Sequence, residues 1–448
     1  MKSFIKSVTK KIVPLKVRGY LRCLRKRALR LIFYLMTRNP FLERILNYLL
    51  CGWVECLNFE RLENYASTHP QNVELISDSL TSLYYSCPRY DGDFVDNYSM
   101  TEVTGHNKYA AILKNATVIG GSNVILLDNT RAMYELKYLD RNNKFWYTDD
   151  GIECCKNNKC LLSIKRSDTV FDEAIDFTGN FSWNYYHLMY DVLAKFEQLD
   201  SLRLNPSIPI LIDSKCLDVP QYLELFTLLN TNGRKLIGLD RAKRYSVKHL
   251  YHFSLPNIIP PNYIDDTEIE ASDVLFDLQT LEYLRSKLLY FAGDSEFPER
   301  IFISRSIAST IRQYNEEEVF AILRKYNFVR ISPQEYSIAD QIAMFNNADF
   351  IAGGTGGAFT NLLFCKESCK VVIFTNYKWD MSIFSTIADY AGADLTYLSD
   401  DFKSIDNTAG IHDDFTINCN RLNEIVSEWA KSASEQETDV SNEKIDII

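Results

Sequence analysis

The sequence predicts an α/β protein whose C-terminal half is built on a parallel sheet. Short apolar runs alternate with amphipathic stretches from residue 300 onward, which is the pattern of strands joined by crossover helices. One of those runs ends in a dense glycine cluster, "GGTGG" at 353–357. The 448 residues, 46% hydrophobic and 24% charged, suit a globular chain of two moderate domains rather than a fibrous or disordered one.

Along the chain, residues 1–50 carry thirteen Lys and Arg against a single acid, Glu43, so the remainder of a chain of net charge −10 holds about −22. That body is not expected to bind nucleic acid. Residues 1–57 read as a basic amphipathic arm. Its apolar runs are too short to span a bilayer, but they suit an anionic membrane surface contacted through residues 1–50. A solvated face on a helical subdomain is the plainer reading. Eleven cysteines without paired spacing suggest reduced thiols rather than a disulfide framework, and "ECCKNNKC" at 153–160 lacks a fourth zinc donor.

Residues 58–290 form the expected N-terminal α/β domain. "ATVIGGSNVILLDN" predicts two strands about a Gly-Gly turn, and "WNYYHLMYDVLAKFEQL" (183–199) one helix with Trp183, His187 and Asp191 on a shared face. "IPILID", "KLIGLD" and "VKHLYHFSL" predict strands, with "PQYLELFTLL" and "TLEYLRSKLLYFAG" as helices. Residues 291–430 form the C-terminal domain. Strands "RIFISR", "FVRIS", "DFIAGG", "KVVIF" and "LTYL" are separated by helices "NEEEVFAILRKYN", "SIADQIAMFNNA" and "MSIFSTIADYAG". Asn315 with Glu318, and Ser337 with Asp340, have the spacing of capping boxes. The polar tail 431–448 is expected to be loose, and "DGD" at 91–93 reads as a turn far from the parallel sheet rather than a metal site.

Three groups carry the chemistry. Gly353, Gly354, Thr355, Gly356 and Gly357 follow a strand at its carboxyl end, where open sheets bind ligands and where backbone N–H groups can face a phosphate. The glycines equally fit a tight turn and close helix–strand packing. Arg305 ends the first strand of this half and Arg312 follows, two guanidiniums placed for a diphosphate unless Glu316 or Glu317 pairs with them. His187, oriented by Asp191, has the pattern of a general base; a hydrogen-bonded core histidine has the same pattern.

Taken together, "NYYHLMYD" at 184–191, "ISR…NEEE" at 303–318, "NFVRISPQEYSIADQIAMFNNAD" and "GGTGGAFTNLLF" at 353–364 resemble glycosyltransferase family 61, in particular its bacterial surface- and capsular-polysaccharide branch. The likeness spans roughly 170–375. It implies a GT-B-like fold, two Rossmann-type α/β domains facing a cleft, and an inverting, metal-independent transfer from a nucleotide sugar, expected to be a UDP-sugar. No other cofactor is implied. The acceptor would be a glycan or lipid-linked glycan, and the enzyme would sit in the cytoplasm, peripheral at the inner membrane face. In that reading Arg305, Arg312 and the 353–357 loop hold the diphosphate, Thr360 and Asn361 seat the nucleotide, and Asn315 caps its helix or touches the donor. His187 with Asp191 serves as base. Two departures stand out: Thr355 occupies the place of a family His, and Ile311 that of one basic residue. The first leaves open a catalytically degenerate glycan- or nucleotide-binding partner of a polysaccharide assembly complex.

Overall fold

The computed structural model describes residues 15–50, 53–93, 99–140, 142–147, 149, 151–163, 165–264, 267–305, 311–376, 380–399 and 413–431. The polar tail beyond 431 lies outside them. The chain is a mixed α/β structure with two sheets.

In the C-terminal half, all five strands form and all are parallel, in the spatial order Val329–Ile331, Arg300–Ile303, Phe350–Gly354, Lys370–Thr375, Asp394–Ser399. All are short, and the three central ones are largely buried, as expected of apolar runs covered by helices on both faces. Numbered along the chain this is the order 2-1-3-4-5, so the topology reverses between Arg300–Ile303 and Phe350–Gly354. The loops after those two strands, which carry Arg305 and the glycine cluster, flank this switch point.

The N-terminal sheet has eleven strands and departs from a Rossmann-type half. Leu236–Leu239, Ile210–Asp213, Arg166–Asp176 and Arg244–Phe253 are mutually parallel. Beyond them the long strand Thr101–Ile119 runs antiparallel to Arg244–Phe253, pairs with Val73–Tyr85, and turns at Gly120–Gly121 into Ile125–Leu126. Val54–Phe59 is an interior member of this sheet, so the expected boundary at 57 falls inside a strand.

The basic arm also differs from a free amphipathic segment. Helices Leu15–Arg38 and Pro40–Leu49 dock on the sheet, with Leu29, Phe33 and Met36 buried against Val54, Cys56, Cys154 and Leu161. Phe41, Tyr48, Leu49 and Trp53 remain exposed. No described helix is long and apolar enough to cross a membrane. The ten described cysteines are all free, and no group that could hold a metal occurs among the described residues.

"DGD" does form a turn, with Gly92 at φ +83°. It is not far from the parallel sheet, however. Tyr90 bridges Tyr397, and the Asp91 amide donates to the Tyr397 carbonyl (2.9 Å), placing the turn against the edge strand. Asp91 is taken up by Arg421.

A buried ionic group braces the N-terminal sheet. His252 Nδ1 lies 3.2 Å from Asp176, and its Nε2 3.6 Å from Glu135. Burial opposes the imidazolium, but the two carboxylates raise its pKa above the ordinary value. Burial alone would raise Asp176; Lys195 and His252 instead hold it down at about 2, and His252 likewise lowers Glu135. The raised imidazole contributes stability fully below about pH 6.5, and this is lost as pH rises through the folded value. The depressed carboxylates contribute above about pH 4 and lose that contribution in acid. His252→Gln should therefore cost about 3–5 kcal/mol near pH 6, since it leaves two buried carboxylates without their cation. In thermal melts the gap to wild type should narrow toward pH 9; a constant gap would mean that the folded imidazole is neutral.

Candidate functional site

His187 sits where one long helix was expected, but the segment is broken. Asn184 caps a single turn Tyr185–His187, its side chain accepting from the Tyr186 amide. A π-helical stretch Leu188–Leu193 follows, closed by Ala194 N–H to Met189 C=O at 3.1 Å, and an α-helix resumes at Lys195–Ser201. Wide turns of this kind recur at functional sites. Trp183 precedes the cap and is therefore outside the helix, yet it lines the same cavity as His187. His187 Nδ1 is 2.7 Å from Asp191 Oδ2. An Nδ1–H donated to that carboxylate leaves Nε2 as the proton acceptor. The imidazole packs on Phe181, ring centroids 5.5 Å apart.

Opposite lies the switch-point loop. A cavity of about 490 Å³ is lined by His187, Phe181 and Trp183 on one side and by Arg312, Thr355, Gly356 and Gly357 on the other. Its lining includes Thr375 and Asn376, at the carboxyl end of another parallel strand. This volume falls within the range of about 300–1,000 Å³ typical of small-molecule sites.

Arg305 accounts for two of the four glycines. The Arg305 guanidinium donates to the Thr355 carbonyl and, at 3.3 Å, to that of Ile311, while its amide donates to Glu316 at 3.0 Å. A Cβ on Gly356 would overlap Arg305 Nη1. A Cβ on Gly354 would lie 2.7 Å from the Tyr314 ring and 2.9 Å from Arg305 Cδ, and one on Gly353 would lie 2.8 Å from the Ile303 carbonyl. Gly357 alone is open, with Tyr185 Cβ at 3.9 Å. The close neighbour of this backbone is thus an arginine of the same chain.

Neither guanidinium forms an ion pair among the described residues. Burial and the adjacent Arg305 pull Arg312 down to about 10, and burial also lowers Arg305. Arg312 takes a left-handed φ of +55°, and its Nε has no hydrogen-bond partner. Two like charges thus lie close together, and Glu316 is the carboxylate whose charge acts on Arg305.

Other expected residues have different places. Thr360 and Asn361 are fully buried on the 3-10 segment Gly357–Phe364 and do not line the cavity. Asn361 accepts from Tyr185 Oη (2.6 Å) and donates to Gln341 (3.0 Å), and the Thr360 carbonyl accepts from Tyr190 Oη (3.0 Å). They bind the loop to the His187 segment rather than contacting a ligand there. Asn315 makes no side-chain cap. Its side chain holds the backbone of Ile417 at 2.8 and 3.1 Å and donates to Glu318, so the capping box does not form.

Sequence reading did not foresee the wall from Pro260 to Tyr263, nor Tyr90 and Tyr397. The "IIPPNY" stretch carried the one available signal, since a double proline holds an extended loop.

Residues 185–372 match the family model described as Glycosyltransferase 61. The match runs from the His187 segment through the glycine loop to the fourth parallel strand, less than half of the chain, and makes this part similar to that family. The chain has no significant match among curated proteins.

Gly354→Ala should cost about 1–3 kcal/mol in chemical denaturation, because a ring and an arginine stem must move. Gly357→Ala should stay within about 0.5 kcal/mol. Equal losses would show that the loop is not packed as described.

Proposed function

We propose that this chain is an inverting glycosyltransferase, moving a sugar from a nucleotide-diphosphate donor to a glycan acceptor in surface polysaccharide biosynthesis. The observation that carries this reading is Arg312, which forms no ion pair among the described residues, has Arg305 beside it, and lines one cavity with His187, whose ring is held by Asp191. The diphosphate lies on the guanidiniums and the open backbone at Gly357, and a UDP-sugar is the donor to try first. The guanidiniums supply the positive charge that a metal would otherwise bring, so transfer proceeds without one. His187 Nε2 takes the proton of the acceptor hydroxyl as that oxygen attacks the anomeric carbon, and the nucleotide diphosphate leaves on the opposite face. Asp191 orients the ring and stabilises the imidazolium that forms. The two halves then face each other as in a GT-B enzyme.

The enzyme is peripheral at the inner face of a membrane. Phe41, Tyr48, Leu49 and Trp53 project from the docked arm, which is rich in Lys and Arg, and meet an anionic surface. A non-catalytic partner is the second reading, favoured by Thr355 at the cavity wall in the place of the family His.

In a panel of UDP, GDP, CMP and dTDP, a nucleotide that binds should add about 2.7 kcal/mol of stability at 100 times its dissociation constant. One nucleotide should do so without Mg²⁺, and Arg312→Ala should abolish it. His187→Ala should lower turnover about 10²–10⁴-fold while keeping the nucleotide shift. Nucleotide binding with no turnover on any acceptor would instead favour the non-catalytic partner. Phe41→Glu with Tyr48→Glu should release the protein from anionic vesicles; unchanged sedimentation would rule out this face as the anchor.

A further inference from the structure

A second cavity, of about 1,110 Å³, opens between the arm helix Leu15–Arg38 and the N-terminal sheet. Phe181 and Trp183 line both cavities, so the two adjoin beside His187. Its size is above the range of about 300–1,000 Å³ for small-molecule sites, which suits several linked sugar rings rather than one.

The chemistry of its lining is lopsided. Lys26, Arg30, Lys137, Lys156 and Lys215 contribute to the wall, and none has a carboxylate at ion-pair distance among the described residues. The two acids of the wall are already engaged. Glu153 pairs with Arg25, and Asp149 accepts the amides of Gly151 and Ile152 at 2.7 Å and the Ser122 hydroxyl. Among the described residues the cations of the wall outnumber its acids, which gives the cavity a net positive field. Three large aromatics, Tyr34, Trp146 and Trp183, line it while remaining 41–45% exposed. Lys215 Nζ sits 5.3 Å over the Trp183 ring. Flat aromatic faces receive the C–H faces of sugar rings, and cations beside them receive carboxylates. Asn180, buried at the same wall, has an amide nitrogen without a hydrogen-bond partner.

We infer that this cavity holds the acceptor, and that the acceptor is an acidic glycan, a run of sugars bearing ring carboxylates whose terminal hydroxyl passes Phe181 and Trp183 to reach His187. The arm helix is then one wall of the acceptor site as well as the membrane-facing element. This rests on the transferase reading only for the word acceptor; the affinity for an acidic saccharide stands or falls by itself.

Calorimetric titration of the full chain with an oligogalacturonate tetramer and with a neutral tetrasaccharide tests it. The acidic tetramer should bind, more weakly as salt rises, and the neutral one should not. Lys156→Glu with Lys215→Glu should weaken the acidic tetramer roughly tenfold or more, equivalent to about 1.4 kcal/mol. An unchanged unfolding temperature of that variant is the folding control. Equal binding of the two saccharides, or no effect of the charge reversal, overturns the inference. Binding of a short prenyl diphosphate with none of the acidic tetramer also overturns it, in favour of a lipid head-group site. If the tetramer binds as expected but no nucleotide stabilises the protein, the transferase reading fails while the acidic-glycan site stands. Nucleotide binding without tetramer binding has the opposite meaning.

Discussion

The site depends on the seating of one segment, Gly357–Phe364, against the His187 helix. Phe359, Leu362, Leu363 and Phe364 are fully buried in a core cluster that also takes Tyr186, Tyr190, Phe253 and Ile210 from the N-terminal half. Tyr185 to Asn361 and Tyr190 to the Thr360 carbonyl are buried or part-buried hydrogen bonds across that seam, and Gln341 completes the Asn361 pair. Leaving any of these polar groups without a partner would cost about 1–3 kcal/mol, so the loop and the base are fixed relative to each other. The small cavity is a gap within a continuous core, and its width is set by packing.

The same seam accounts for the broken helix. The apolar positions 186, 188, 190, 192, 193 and 196 mix spacings of two, three and four, which a regular α-helix cannot direct to one side. A π turn widens the spiral there. Tyr185, Tyr186 and Tyr190 then all reach the C-terminal half or the core beneath it, while His187 stays at the cavity with Asp191 behind its ring. Periodicity alone reads this stretch as one helix, because the selection for wide turns comes from a partner 170 residues away.

How far the sequence discloses the structure follows the same division between local and distant causes. The five parallel strands are legible because each is a short apolar run, the central ones buried on both faces, and the helices between them carry one apolar stripe. The N-terminal sheet is less legible. Val73–Tyr85 is mostly exposed, so its apolar alternation is faint, and the 19-residue strand Thr101–Ile119 finds its second partner, Arg244–Phe253, far along the chain. Asn315 shows the limit at one residue. The Asn-x-x-Glu spacing fits a capping box, but Ile417 offers a backbone N–H and C=O that the Asn side chain satisfies together. The strand-end placement of Arg305 and Arg312, by contrast, was readable, since strand direction alone decides which edge a following residue occupies.

The glycine loop shows why a motif and its cause need separate tests. Glycine clusters at strand ends suggest phosphate, yet at Gly353, Gly354 and Gly356 the nearest atoms belong to Ile303, Tyr314 and Arg305. Close internal packing accounts for those three positions with no ligand at all. What points to an anion is the manner in which Arg305 is held. Its side chain rests on the carbonyls of Thr355 and Ile311, while Glu316 is turned to the Arg305 amide and the Ser304 hydroxyl. A carboxylate in the place of those carbonyls would neutralise the guanidinium as it fixed it. Carbonyl dipoles orient the group without an ion pair among the described residues, so in the proposed reading the glycines serve the diphosphate through the arginine that they make room for.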